Sequence, residues 1–219
     1  MKRNQSGFTL IEIAIVLVII GLLLGGVLKG QELINSSRVK SLATDFRNIP
    51  VYIYGYQDKY RALPGDDANA VTHVSGTAAS SGTTALNSGV INGNWDTPTV
   101  TEESQLFWQH IRLAGLATGA TTGSDYLPTN SVGGRIGISS SSPVLGLSSS
   151  YVICSDGVQG KFARQLDTQM DDGNTDTGAM RSIPQVARSS GTALTAAVSA
   201  VATTTANFDS TIYTVCMGV

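Results

Sequence analysis

A chain of 219 residues, 42% of them hydrophobic, is long enough for one membrane-crossing helix and one globular domain of roughly 150 residues. Its 14 Lys and Arg against 16 Asp and Glu leave a formal charge of −2, which gives nucleic-acid binding by net charge no footing. With two His and no Gly-x-Ser-x-Gly, phosphate-loop or zinc-ligand pattern, the composition argues against an enzyme.

Met1 to Gly7 stand before an apolar run, Phe8 to Leu28, that holds one carboxylate, Glu12. At 1.5 Å per residue the run makes a helix of roughly 31 Å, about the thickness of a bilayer's hydrocarbon core. Lys2 and Arg3 precede it, so the positive-inside bias keeps the N-terminus in the cytoplasm and sends the remainder of the chain outward. A secretory signal peptide is cut after its apolar stretch, at small residues. Here the small residue, Gly7, comes first, and a cut between Gly7 and Phe8 keeps the apolar helix as the mature N-terminus. An acid near a bilayer core costs about 2.5 to 3.5 kcal/mol and calls for a partner. The amine freed on Phe8, in the same chain or a neighbour, is a cation suited to Glu12.

The hexapeptide Gly7-Phe8-Thr9-Leu10-Ile11-Glu12, followed by the long apolar run, resembles the prepilin motif of type IV pilins and of the pseudopilins of type II secretion. The resemblance implies a prepilin peptidase that cuts after Gly7 and methylates Phe8. It further implies an inner-membrane assembly platform with its ATPase, and a homo-oligomeric helical filament in which Glu12 pairs with the N-terminal amine of an adjacent subunit. The fold it implies is α+β and pilin-like: a long N-terminal α-helix, transmembrane then amphipathic, packed on an antiparallel β-sheet head. The expected divisions are a leader at 1–7, a transmembrane and polymerisation helix at 8–28, its amphipathic continuation at 29–62, and the head at 63–219. Single-pass residence in the inner membrane would precede assembly into an extracellular pilus or a periplasmic pseudopilus. The short leader and the mature Phe look like the type IVa and pseudopilin branch.

Beyond Leu28 the pattern becomes amphipathic. Leu42, Phe46, Ile49, Ile53, Tyr56 and Tyr60 recur at steps of four and three, with Arg38, Lys40, Asp45, Arg47 and Lys59 facing away, so one helix is predicted from Phe8 to about Tyr60. Two Gly-x-x-x-Gly pairs, Gly21 with Gly25 and Gly26 with Gly30, permit close helix packing in a membrane, while Gly25-Gly26 is the place where the helix would most easily stretch. Pro50 predicts a kink or a change of register. Ser37-x-x-Lys40 matches a nucleophile motif by chance, since it lies on this helix without companions.

Leu63-Pro64-Gly65-Asp66-Asp67 reads as a turn whose acids cap the next element, and a Leu-Pro-Gly-Asp segment at this place adds to the pilin-like resemblance. Residues 75 to 100, rich in Ser, Thr, Gly and Asn, read as a surface loop. Thr101, Glu102 and Glu103 open an amphipathic helix with Leu106, Phe107, Ile111 and Ala114 on one side, on which His110 is a surface or core residue rather than a ligand. Strands are predicted at Ile136 and Ile138, at Val144 to Leu147, at Tyr151 to Cys154, and near Met180 to Ala187, Leu194 to Thr203 and Thr211 to Cys216. Phe162, Leu166 and Met170 predict a short helix from about Gln159 to Met170.

Cys154 and Cys216 lie in the portion sent outward, where an oxidising compartment favours a disulfide that closes a long loop, worth about 4 kcal/mol. Asp172, Asn174 and Asp176 place oxygens at alternate positions, a candidate Ca²⁺ loop that lacks the EF-hand glycine and distal Glu, against the alternative of a solvated turn. The C-terminal disulfide leans toward a type IV pilin or minor pilin, and the acidic loop toward a pseudopilin. From another class, a single-pass anchored binding module whose loops contact a surface or DNA also fits the composition.

Overall fold

The structure is a computed structural model that describes residues 9–80, 86–185 and 197–219. The leader at 1–7, Gly7 included, and Phe8 lie outside the described residues, as do 186–187 and 194–196 of the predicted strands. The chain divides into two units, residues 1–38 and 39–219.

Helix α1 runs from Leu10 to Tyr60. Up to residue 29 every described side chain is exposed, an apolar surface with no core of its own. From residue 39 onward Val39, Leu42, Ala43, Phe46, Ile49, Ile53 and Tyr56 are buried, which is the predicted stripe. The stripe passes Pro50 without losing step, so the change of register expected there is absent from the burial pattern; packing on both sides of the proline holds the helix to one face. The helix ends at Tyr60, where the spacing predicts its end. Arg61 takes a left-handed conformation (φ 56°) with its N–H bonded to the Gln57 carbonyl, and Pro64 comes three residues later.

The second unit is α+β. Helices α2 (Ala70–Val74) and α3 (Glu103–Leu113) precede β1 (Ile136–Ser139) and β2 (Val152–Gln159), after which come α4 (Gly160–Met170), β3 (Met180–Pro184) and β4 (Ile212–Gly218). The four strands form one antiparallel sheet in the order β1-β2-β4-β3. Strand β2 carries an irregularity between Ser155 and Val158, where Gly157 takes φ 72°.

Both faces of the sheet are covered, by different means. One face sends Ile136, Ile138, Ile153, Val158, Met180 and Val215 into a core shared with the α1 stripe, with Leu106, Phe107 and Ile111 of α3, and with Phe162 and Leu166 of α4. The opposite face sends Val152, Cys154, Ile183 and Cys216 against Trp95, Val144 and Leu147, which belong to irregular segments. The packing of the two faces corrects four expectations. Residues 86–100 are irregular but do not form a surface loop: Ile91 and Trp95 are buried, and Ile91 exchanges hydrogen bonds with Ser140 beside β1. Val144 to Leu147 is no strand, because Val144 makes only an isolated bridge to Val198, and the described part of 194–203 likewise holds that bridge and no strand. Helix α3 is buried on all sides from Glu103 to Ile111, including Gln105, Gln109 and His110, so the one-sided amphipathic reading is wrong there. Its polar residues bond inward: Gln105 donates to the Thr97 carbonyl and accepts from Tyr126 N–H, and Gln109 donates to the Thr121 carbonyl.

Candidate functional site

At the start of α1, Thr9 and Glu12 bond reciprocally. The Thr9 N–H and Oγ1 donate to Glu12 Oε2 at 2.8 and 2.7 Å, and Glu12 N–H donates to Thr9 Oγ1 at 3.3 Å. This is a capping box, the Thr-x-x-Glu pattern that satisfies free amides at a helix N-terminus. The pattern is legible in the sequence, and Thr9 is the neutral partner that a search for charged partners of Glu12 passes over. Its hydroxyl gives the acid of an apolar helix a neutral partner within its own chain, and the second lone pairs of the carboxylate stay available to a cation. Further along, a Cβ added at Gly21, Gly25, Gly26 or Gly30 would meet nothing within 4 Å, so the small-residue face is open to another helix.

Cys154 and Cys216 stand directly opposite each other in the β2/β4 register and form the predicted disulfide, with 4.1 Å between their Cα atoms. Both are fully buried beneath Trp95, Val144 and Leu147.

Leu63 to Asp67 is more than a turn, since all five residues are buried. Asp67 Oδ2 accepts from the Tyr56 hydroxyl at 2.8 Å and lies 2.7 Å from His73 Nδ1, and its Oδ1 accepts from Asn69 N–H, so it orders the loop before α2. Burial acts to raise the Asp67 pKa, but the bonds from His73 and Tyr56 outweigh it and hold the carboxyl below its ordinary value. Asp66 Oδ2 accepts from Gly89 N–H at 2.7 Å and from Ser88 Oγ, pinning the backbone around those two residues. Gly65, at φ 93°, donates its N–H to His110 Nδ1, while His110 Nε2 donates to the Thr77 carbonyl at 2.8 Å. The imidazole is thereby fixed as the neutral Nε2–H tautomer, and burial pushes its pKa down. An open cleft of about 450 Å³ lies beside this network, with Tyr60, Arg61, Asp66, Asn69, His73 and Asn87 on its walls.

Of the predicted cation ligands, Asp172 accepts from Asn174 N–H through Oδ1 and from Thr177 Oγ1 through Oδ2. Asn174 thus serves Asp172 through its backbone, and Asp176 has a buried Oδ1 without a hydrogen-bond partner. The carboxylates brought together are Asp167, Asp171 and Asp172, one oxygen of each lying within 4.8 Å of the others. Asp167 sits on the last turn of α4, where helical spacing marks it as an ordinary polar position, so the alternating pattern of the acidic loop does not reach it. Its Oδ1 accepts from Gly173 N–H at 2.6 Å. Burial, then the charges of Asp172 and Asp171, push the Asp167 carboxyl up to about 6.

Residues 2–28 match the family model described as the prokaryotic N-terminal methylation motif. No curated protein and no solved structure matches the chain.

Proposed function

We propose that the chain, whose residues 2–28 match the N-terminal methylation motif, is a structural subunit of a type IV pilus, a type IVa-like pilin or minor pilin. Prepilin peptidase cuts between Gly7 and Phe8 and methylates Phe8, and subunits polymerise through the N-terminal helix. Before assembly the same helix anchors the precursor in the inner membrane.

The observation that carries this reading is the combination of the motif with an apolar helix whose described side chains up to residue 29 are all exposed. Such a surface is stable in lipid or against other helices and nowhere in water. Glu12 then has two states, each with a partner. In the membrane Thr9 holds it, and in the filament the amine of a neighbouring Phe8 replaces part of that bonding with an ion pair of greater strength. A pseudopilin of type II secretion would use the same segment, and the acidic loop after α4 favours that second reading. The cleft beside Tyr60 and His73 supports a third, an anchored binding module.

Mass spectrometry of the mature protein tests the proposal. N-methylated Phe8 at the N-terminus is expected, and functional assembled protein that retains Met1 overturns it. Long surface fibres built mainly of this chain separate a pilin from a pseudopilin.

A further inference from the structure

We propose that the open cleft at the end of α1 binds a neutral saccharide unit. The inference concerns the second unit alone, and it holds for a filament subunit as well as for an anchored module. The cleft encloses about 450 Å³, within the ~300–1,000 Å³ of small-molecule sites.

Its walls are held in place by the protein's own bonds. Asn87 is fixed twice, since its N–H donates to the Asp66 carbonyl at 2.8 Å and its Oδ1 accepts from Ala68 N–H at 3.2 Å. His73 donates from Nδ1 to the buried Asp67 carboxylate and stacks on the Tyr60 ring, with 5.3 Å between ring centres. A site built this way loses little conformational freedom when a ligand enters.

The same bonds decide which groups are left for a ligand. With its Oδ1 occupied, Asn87 keeps the two donors of its amide. With Nδ1–H engaged by Asp67, the Nε2 of the neutral His73 ring is an acceptor. The side-chain amides of Gln57 and Asn69 and the Arg61 guanidinium line the cleft and make no hydrogen bond among the described residues. Asp66 is fully buried in the same wall, and among the described residues no donor reaches its Oδ1. An orphaned carboxylate oxygen is costly, and a hydroxyl seated against that wall supplies the donor it lacks.

Charge narrows the ligand class. Arg61 and Asp66 give the cleft one formal charge of each sign, so a phosphate meets the Asp66 carboxylate and an ammonium meets the Arg61 guanidinium. A zwitterion such as a free amino acid satisfies both charges but leaves the three amides and His73 Nε2 unused. Neighbouring hydroxyls, each a donor and an acceptor, match every one of these groups without carrying charge. The C–H edges of a sugar ring have Ala62 and Leu63 to pack on.

The test uses the full-length chain in a sugar-free zwitterionic detergent. The probes are D-glucose, D-galactose, D-mannose and N-acetyl-D-glucosamine, read by saturation-transfer NMR and by thermal unfolding. At least one is expected to bind with Kd of about 1 mM. At a tenfold excess over Kd it should raise the unfolding midpoint by roughly 3–5 °C. Gln57→Ala combined with Asn69→Ala removes two amides that hold nothing in the fold. It should weaken binding at least about tenfold with circular dichroism unchanged. Absence of saturation transfer and of any midpoint shift with all of the sugars at about 10 mM overturns the proposal. So does an equal shift with the open-chain polyol mannitol, parental affinity in the double variant, or tighter binding of glycine or inorganic phosphate. None of these outcomes touches Phe8 methylation, so this inference and the filament reading fail separately.

Discussion

Residues 10–29 and 39–60 belong to one α-helix, yet the first stretch keeps its apolar side chains exposed while the second buries a stripe from Val39 to Tyr56. The same secondary structure has two causes. In the second stretch the helix is held by tertiary packing, because one face is apolar and the core beneath it excludes water. In the first, hydrophobic residues occur all round the helix, and only lipid or neighbouring helices make that arrangement favourable. Sequence position along a single helix thus separates what serves the fold of one chain from what serves its surroundings.

The sharpest way to break this contrast is at Glu12. Replacing it by Val leaves the helix equally apolar or more so, and membrane insertion should be unchanged or improved. Filament growth should nevertheless stop, as read by electron microscopy of the sheared surface fraction. Normal fibres from Glu12→Val would mean that the first stretch assembles by apolar packing alone.

In the second unit the largest effect is expected at the disulfide. Cys154→Ser combined with Cys216→Ser should lower the stability of the head by about 4 kcal/mol, from the entropy of the long loop the bond closes. Denaturant unfolding of the full chain in micelles measures it, and membrane insertion should not change.

A smaller effect concerns pH, and two buried groups act with opposite signs. His110 has a folded pKa below its ordinary value, so protons favour the unfolded chain; its contribution is complete above pH ~6.5 and is lost as pH falls below that. Asp167, raised to about 6, contributes stability at acid pH that disappears as pH rises through 6. In Ca²⁺-free buffer the melting temperature of Asp167→Asn should therefore fall more steeply between pH 7 and 5 than that of the parent. Parallel curves would sink the assignment to Asp167.

Elements governed by local periodicity are legible in the sequence. The stripe Leu42 to Tyr56, helix α4 with Phe162 and Leu166, and the apolar cores of β1, β2, β3 and β4 all stand where spacing and β-branched content put them. The irregular chain that covers the second face of the sheet is not legible in this way. Trp95, Val144 and Leu147 are buried there, but they sit among Gly, Ser and Pro without a period, and what buries them is a sheet face formed by distant residues. Val144 to Leu147 has the composition of a strand, and no strand edge receives it. The Leu63 to Asp67 segment carries turn chemistry in its sequence, yet it is also bonded to Tyr56 of α1 and to His110 of α3, the latter distant along the chain. The acidic loop is legible in part: Asp172 stands out by its spacing, while Asp167 joins it only through the fold.

Strand β4, last of the four in chain order, pairs with β2 on one side and β3 on the other. For a polypeptide delivered across a bilayer from its N-terminal end, this order sets a clock. The antiparallel pair β1–β2 can form early, but β3 has no neighbour until residues 212–218 emerge, and the thiol of Cys154 waits equally long for Cys216. A domain delivered in that order therefore has no closed four-stranded sheet and no Cys154–Cys216 bond until β4 arrives, so the pairing of β4 with β2 and β3 and the closing of the disulfide become a single late event.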